Sequence, residues 1–112
     1  MDGAELGRSS ENAAVDFLRN AGYRIIARNV RLPGGEVDII CRDGATMVFV
    51  EVKARRTRSF GSAISAVDAR KRSRLRAAAA DYVQFVAPGA TVRFDVITAE
   101  HGVIRLHKGA FA

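Results

Sequence analysis

The chain has one cysteine, no tryptophan, two prolines and two histidines in 112 residues. No apolar run approaches the roughly 20 residues that a membrane span needs. Each scarcity removes a class of protein. A lone Cys41 cannot close an internal disulfide, which excludes a disulfide-stapled fold and fits a reducing cytoplasm. His101 and His107 match no zinc spacing and read as surface residues. Met1-Asp2-Gly3-Ala4-Glu5 is acidic and lacks an apolar core, so no secretory signal is expected. Repeats, low-complexity stretches and linkers are also missing, so residues 1–112 are expected to form one domain. With 48% hydrophobic and 27% charged residues, the chain can build a core and is not disordered by composition.

Positive charge is present, and it is concentrated. The net charge is +6. Lys53, Arg55, Arg56, Arg58, Arg70, Lys71, Arg72, Arg74 and Arg76 fall between positions 53 and 76, where Asp68 is the only acid. That segment carries more than the whole excess, and the rest of the chain is slightly acidic. A basic stretch of this density points to a polyanion; a solvated helix face is the plainer account.

The belt begins where two β-rich runs end. Gly35-Glu36-Val37-Asp38-Ile39-Ile40 and Val48-Phe49-Val50-Glu51-Val52-Lys53 are so apolar that each strand should be covered on both faces. A charge inside such a strand costs several kcal/mol unless it is paired or binds a metal, which marks Asp38, Glu51 and Lys53 as a candidate site. Strand parity puts Asp38 with Glu36 and Ile40, and Glu51 with Phe49 and Lys53. It puts Cys41 with Val37 and Ile39, where a buried structural thiol is expected. Asp43-Gly44 signals a turn. A four-residue loop from Asp43 to Thr46 sets Asp38 opposite Glu51. A two-residue loop leaves them diagonal, and an odd loop separates them onto opposite faces. Facing carboxylates repel, and a divalent cation between them would offset that.

Leu6-Gly7, Glu11-x-x-Ala14, Gly22-Tyr23, Arg28-Asn29, the two runs above and Phe94-Asp95-Val96 occur in an order that resembles the YraN-like family of the restriction-endonuclease-like, or PD-(D/E)xK, fold. The resemblance covers nearly the whole chain. Glu36-Val37 stands where the superfamily name has Pro, and Ser10 precedes Glu11 where the family often has Gly. The resemblance implies an αβββαβ core with a mixed sheet flanked by helices. It also implies a metal-dependent nuclease acting on nucleic acid, DNA foremost, and it leaves a homodimer open. It suggests that Glu11, on the first helix, helps hold the metal; an exposed or capping carboxylate is the alternative.

The remaining elements follow from periodicity. Glu5 to Ala21 reads as a helix stopped by Gly22. Tyr23 to Asn29 reads as a strand with Tyr23, Ile25 and Ala27 on one face. Leu32-Pro33-Gly34-Gly35 is a tight loop whose glycines admit close backbone approach, to a ligand or simply within a turn. Arg55 to Gly61 reads as a basic loop able to grip a nucleic-acid backbone. Asp68 to Val86 reads as a helix with Asp68 in its cap or first turn. Its Lys71 leans toward the sheet, to reach the site or to snorkel over the core. The strand at Thr91 to Ala99 should run parallel to that of Glu51, with Asp95 a structural carboxylate paired with an arginine. Val103 to His107 is a short last strand.

Oxygen ligands suit Mg2+ or Mn2+ and not zinc. In this reading Asp38, Glu51 and the Val52 carbonyl hold the ion, Lys53 orients the attacking water, and Arg55, Arg56, Arg58, Arg70, Lys71, Arg72, Arg74 and Arg76 bind the phosphate backbone. The alternative is a binding module of the same fold without turnover.

Overall fold

A computed structural model describes residues 3–55 and 69–112, with side chains from 8 to 54 and from 69 onward. The order is α1 (Gly3–Asn20), β1 (Arg24–Leu32), β2 (Gly35–Asp43), β3 (Thr46–Arg55), α2 (Ala69–Val86), β4 (Thr91–Glu100) and β5 (Val103–Phe111). The strands form one sheet in sequence order. β3 and β4 are parallel and the other neighbours antiparallel. This is the αβββαβ restriction-endonuclease-like core with one further strand. Among the described residues no helix is long and apolar enough to cross a membrane.

Each helix covers one face of the sheet. Ala14, Val15 and Leu18 of α1 pack on Ile39, Cys41, Val48, Val50 and Ile97. Leu75, Ala78 and Ala79 of α2 pack on Ile40, Met47, Phe49 and Phe94. The central strands are therefore buried on both sides, which is why they read as continuous apolar runs.

α1 ends in a Schellman turn. Gly22, at φ 94°, donates to the Arg19 carbonyl at 3.0 Å, and Tyr23 donates to that of Leu18 at 2.9 Å. Tyr23 and Leu18 then meet in the core, the contact that accompanies this cap. The loop glycines serve another purpose. A Cβ at Gly34 would lie 2.7 Å from the backbone of Ala77, and Gly34 N–H donates to Asp81 at 2.9 Å. Close approach is thus to α2 rather than to a ligand.

Three strand expectations need correction. β1 begins after Tyr23 and runs on to Leu32. Its register shifts between Ile25 and Ala27, so Ile25 joins the α1 side and Ala27 the α2 side. β5 continues beyond His107 to Phe111, whose ring stacks on Phe94 at 5.0 Å. Asp95 is paired as expected: it is fully buried, and Arg93 grips it at 2.9 and 3.0 Å.

Gly34→Ala should destabilise the fold by about 2–3 kcal/mol, because the clash is with helix backbone. Gly22→Ala meets no atom within 4 Å and should cost only the left-handed backbone strain, about 1–2 kcal/mol. Urea midpoints at unchanged m-value measure both; equal losses would refute the close-packing account.

Candidate active site

Glu51 lies in β3, the middle strand of the five, and is 3% exposed. Val48, Phe49 and Val50 hold its strand in the core. The carboxylate is largely withdrawn from bulk water and relies on lysines. Lys53, two residues on and so on the same face, places Nζ 3.6 Å from Glu51 Oε1. Lys71, from the start of α2, places Nζ 3.4 Å from the same oxygen. The leaning helix lysine thus reaches the site. Glu51 Oε2 is buried and has no hydrogen-bond partner among the described residues. Burial, then repulsion from Asp38, pushes the Glu51 carboxyl up to about 7, against the pull of Lys71 and Lys53.

Asp38 stands where β2 and β3 part. Their paired register runs from Asp43↔Thr46 to Ile39↔Val50, and one further step sets Asp38 across from Glu51. The turn has only two residues, Gly44 and Ala45, between paired Asp43 and Thr46, yet it sets Asp38 directly across rather than diagonal, which corrects the expectation for a two-residue loop. Beyond Ile39 the Asp38 carboxylate fills the gap: its Oδ2 accepts the Val52 N–H at 2.8 Å. A strand residue turns its N–H and C=O to the same neighbour, so the Val52 carbonyl also belongs to this side. Burial raises the Asp38 pKa, opposed first by the Val52 N–H and then by Lys71.

Simple parity fails here. Asp38 lines a cleft of about 430 Å3 with Ser10, Glu11 and Asn12 of α1 and with Val52, not with Ile40, which faces α2. Val37 also faces α2, so Cys41 shares its side with Ile39 but not with Val37. The partner of Asp38 in β1 by register is Asn29, a strand residue at φ 52°. That left-handed residue turns both Arg28 and Asn29 toward α1 and breaks the alternation.

Glu11 is half-buried in the same cleft and is engaged. Its Oε1 accepts Arg28 Nε and Asn29 Nδ2, each at 3.0 Å. Arg28 also donates to Asn12 Oδ1 at 2.6 Å. Glu36 lies outside the site, exposed and 3.6 Å from Arg31. His107 is half-buried rather than superficial, and its Nε2 lies 3.1 Å from Thr98 Oγ1. Thr98 is the β4 residue beside Lys53. Nothing in the sequence marked this pair, since the link needs the β3–β4 register. Asn29 carried a weak signal, as an Asn that tolerates positive φ inside an otherwise β-rich run.

On the basic belt, the Arg55 side chain, Arg56, Arg58 and Asp68 lie outside the described residues. Arg70 and Arg74 are exposed along one side of α2, and Arg72 and Arg76 flank the other. Arg76 Nη1 donates to the Ala112 carbonyl at 3.0 Å. Arg70, Arg72 and Arg74 have no ionic partner among the described residues. The first turn of α2 contains no acid, so its positive dipole end and its cations add to one another.

A divalent cation fits the donors that are present. A buried and a half-buried carboxylate repel each other, and the buried one holds an oxygen without a partner among the described residues that a cation would satisfy. Among the described residues no group of three or more His, Cys, Asp and Glu stands placed to hold an ion. The set would thus be Asp38, Glu51 and backbone, completed by water, as suits Mg2+.

Sequence relatives agree over most of the chain. A UPF0102 protein of Symbiobacterium thermophilum is 47% identical over 98 residues, covering 87% of this chain and 83% of its own length. One from Caldicellulosiruptor saccharolyticus is 43% identical, covering 99% of this chain and all of its own. One from Shewanella sediminis is 40% identical over 96% of this chain and 92% of its own. The model of the uncharacterised protein family UPF0102 matches residues 10–99, and the chain belongs to that YraN-like family.

Proposed function

We propose that the protein is a metal-dependent nuclease that binds nucleic acid, DNA foremost, along α2 and hydrolyses a phosphodiester at the Asp38–Glu51–Lys53 site. The observation that carries this is the Glu51 carboxylate: two lysines grip one oxygen, and the other is buried without a partner among the described residues. A merely structural acid would have both oxygens satisfied.

Asp38, Glu51 and the Val52 carbonyl would hold Mg2+ or Mn2+, which would supply charge neutralisation at the phosphate and lower the pKa of water. The protein's own groups do the rest. Lys53 and Lys71 are about one-third exposed at the side chain, so each can hold Glu51 and still reach a phosphate oxygen. Lys53 orients the attacking water, and both ammonium groups stabilise the charge that builds on phosphorus-bound oxygens. Arg70, Arg72 and Arg74 hold flanking phosphates, which positions the backbone without reading bases. Two copies acting together would account for cleavage of both strands of a duplex.

One observation favours a second reading. Arg28 and Asn29 occupy Glu11 Oε1, which leaves two carboxylates for the ion and fits a nucleic-acid-binding module without turnover.

Cleavage of labelled duplex, single-stranded, flapped and four-way-junction DNA, with RNA alongside, separates the two readings when run with Mg2+, Mn2+ or EDTA. Asp38→Asn and Glu51→Gln should weaken divalent-ion binding about tenfold or more by calorimetric titration. Lys53→Ala should hold ion affinity within about twofold and lower turnover by at least about a hundredfold. Equal loss of ion affinity in all three would refute the division of roles. Shifted but uncut bands that are unchanged in Lys53→Ala would establish the binding module.

The acid's own titration gives an independent check without metal. Glu51 binds its proton more tightly folded than unfolded, so its contribution to stability is full below about pH 4.5 and lost as pH rises through about 7. In EDTA, Glu51→Gln should gain stability relative to the native chain across that window, and added Mg2+ should restore the native chain at pH 8. A constant difference from pH 4 to 8 would show that Glu51 ionises without strain.

Salt dependence reports the belt. Replacing Arg70 and Arg74 by Ser should reduce the slope of log affinity against log salt by about one per arginine on duplex DNA. An unchanged slope would remove α2 from the interface.

A further inference from the structure

A second cluster of cations lies at the other end of the sheet. Arg24 of β1 and Arg42 of β2 are direct cross-strand partners. Both are exposed, and neither has a hydrogen-bond or ionic partner among the described residues. Like charges directly opposite one another destabilise a strand pair. An edge strand gains from an arginine that discourages pairing with other chains, which accounts for Arg24 in β1 but not for Arg42 in the second strand.

These two guanidinium groups border a groove of about 470 Å3, floored by Met47 of β3 and Tyr82 and Val86 of α2. Val86 is 59% exposed and the adjacent Phe85 76%. The register shift between Ile25 and Ala27 presents Ile26 to the same groove at 38% exposure. A bulge is a common device for re-aiming one side chain. The helix that exposes Arg70 and Arg74 near its start thus exposes hydrophobics at its end. From Met47 to Glu51 is four residues of strand, about 13 Å, so this groove is separate from the carboxylate site.

A phosphodiester backbone offers anions but no apolar body to cover Tyr82, Val86 and Ile26. A neutral apolar helix would cover those residues and leave the paired arginines facing one another. An extended acidic peptide satisfies both: carboxylates accept bidentate bonds from guanidinium groups, and intervening apolar side chains fill the floor. We propose that this groove docks an acidic segment of a partner protein, with carboxylates on Arg24 and Arg42 and a hydrophobic side chain against Ile26, Tyr82 and Val86. The proposal is independent of the nuclease reading, because it uses none of the residues of that site.

The test is fluorescence anisotropy on the full chain. The probe is a labelled peptide alternating aspartate with leucine, beside its asparagine–leucine and aspartate–serine counterparts and a labelled oligothymidylate. The acidic apolar peptide should bind, and each counterpart should bind at least about tenfold more weakly. Arg42→Gln and Val86→Ser, both at exposed positions, should each lower its affinity about five- to tenfold. Lys53→Ala should leave it unchanged. No binding up to about 1 mM, or equal binding of the aspartate–serine peptide, would overturn the proposal. So would an oligothymidylate whose affinity falls in Arg42→Gln as much as the peptide's does, since that outcome makes the groove a nucleic-acid contact.

Discussion

The central constraint is the ionisation of Glu51 in a strand covered on both faces. A carboxylate 3% exposed in the middle of a sheet is costly to desolvate, and a second acid raises the cost. Three features of the fold answer it. Lys53 comes from the same strand and Lys71 from the facing helix, so cations reach the carboxylate from two directions. The β2–β3 ladder opens beyond Ile39↔Val50, so that Asp38 takes a backbone N–H in the gap. The first turn of α2 carries no acid, so its cations add to the positive end of the helix dipole facing Glu51. Each feature would be a defect in an apolar sheet, and together they hold two acids close at a tolerable cost.

Asp95 is the internal comparison. It is as buried as Glu51, but every available donor closes on it. Arg93 binds both oxygens, the Tyr23 hydroxyl reaches Oδ2 at 3.3 Å, and Gly109 N–H donates to Oδ1 at 2.9 Å. Arg93 is in turn held by Asp43 and Tyr23. That network ties the turn before β1 to β2, β4 and β5, and both Asp95 oxygens are satisfied within it. Cys41, beside it, is buried and its thiol is pushed up to about 12, which removes it as a nucleophile. Two buried carboxylates in one sheet therefore separate by satisfaction: the one with a free oxygen is the chemical candidate.

The sequence made the layers legible because burial on both faces leaves a simple mark. Val37 to Cys41 and Met47 to Val50 could only be central strands, and the β3–α2–β4 order required a parallel pair, as found. The turn at Asp43-Gly44 was legible, but it left the loop length open, and the register up to Ile39↔Val50 is what sets Asp38 across from Glu51. Parity arguments failed where the backbone leaves β geometry: at Asn29, opposite Asp38, and at the shift beside Ile26. Alternation assumes an unbroken ladder, and both breaks come from backbone angles that residue type only weakly dictates. Glu11 was placed on the correct helix, but its capture by Arg28 and Asn29 depends on that same break. The Thr98–His107 contact required the β3–β4 and β4–β5 registers, which no local pattern encodes.

α2 joins the two regions of exposed chemistry. Its stripe of Leu75, Ala78 and Ala79 is fixed against the sheet by Gly34, which admits the helix backbone at a distance a Cβ would forbid, and by Gly35, where a Cβ would fit only tightly. Because that packing is close, the helix cannot slide without a clash, and its two ends are held in register with opposite ends of β3. At one end Lys71 is set against Glu51; at the other Tyr82 and Val86 are set beside Met47. The glycine turn thus performs a positioning role for both regions without touching either. A loosened turn would be felt first as a misplaced Lys71, because a charge contact at 3.4 Å in a poorly solvated site is more sensitive to displacement than an apolar contact at an exposed groove.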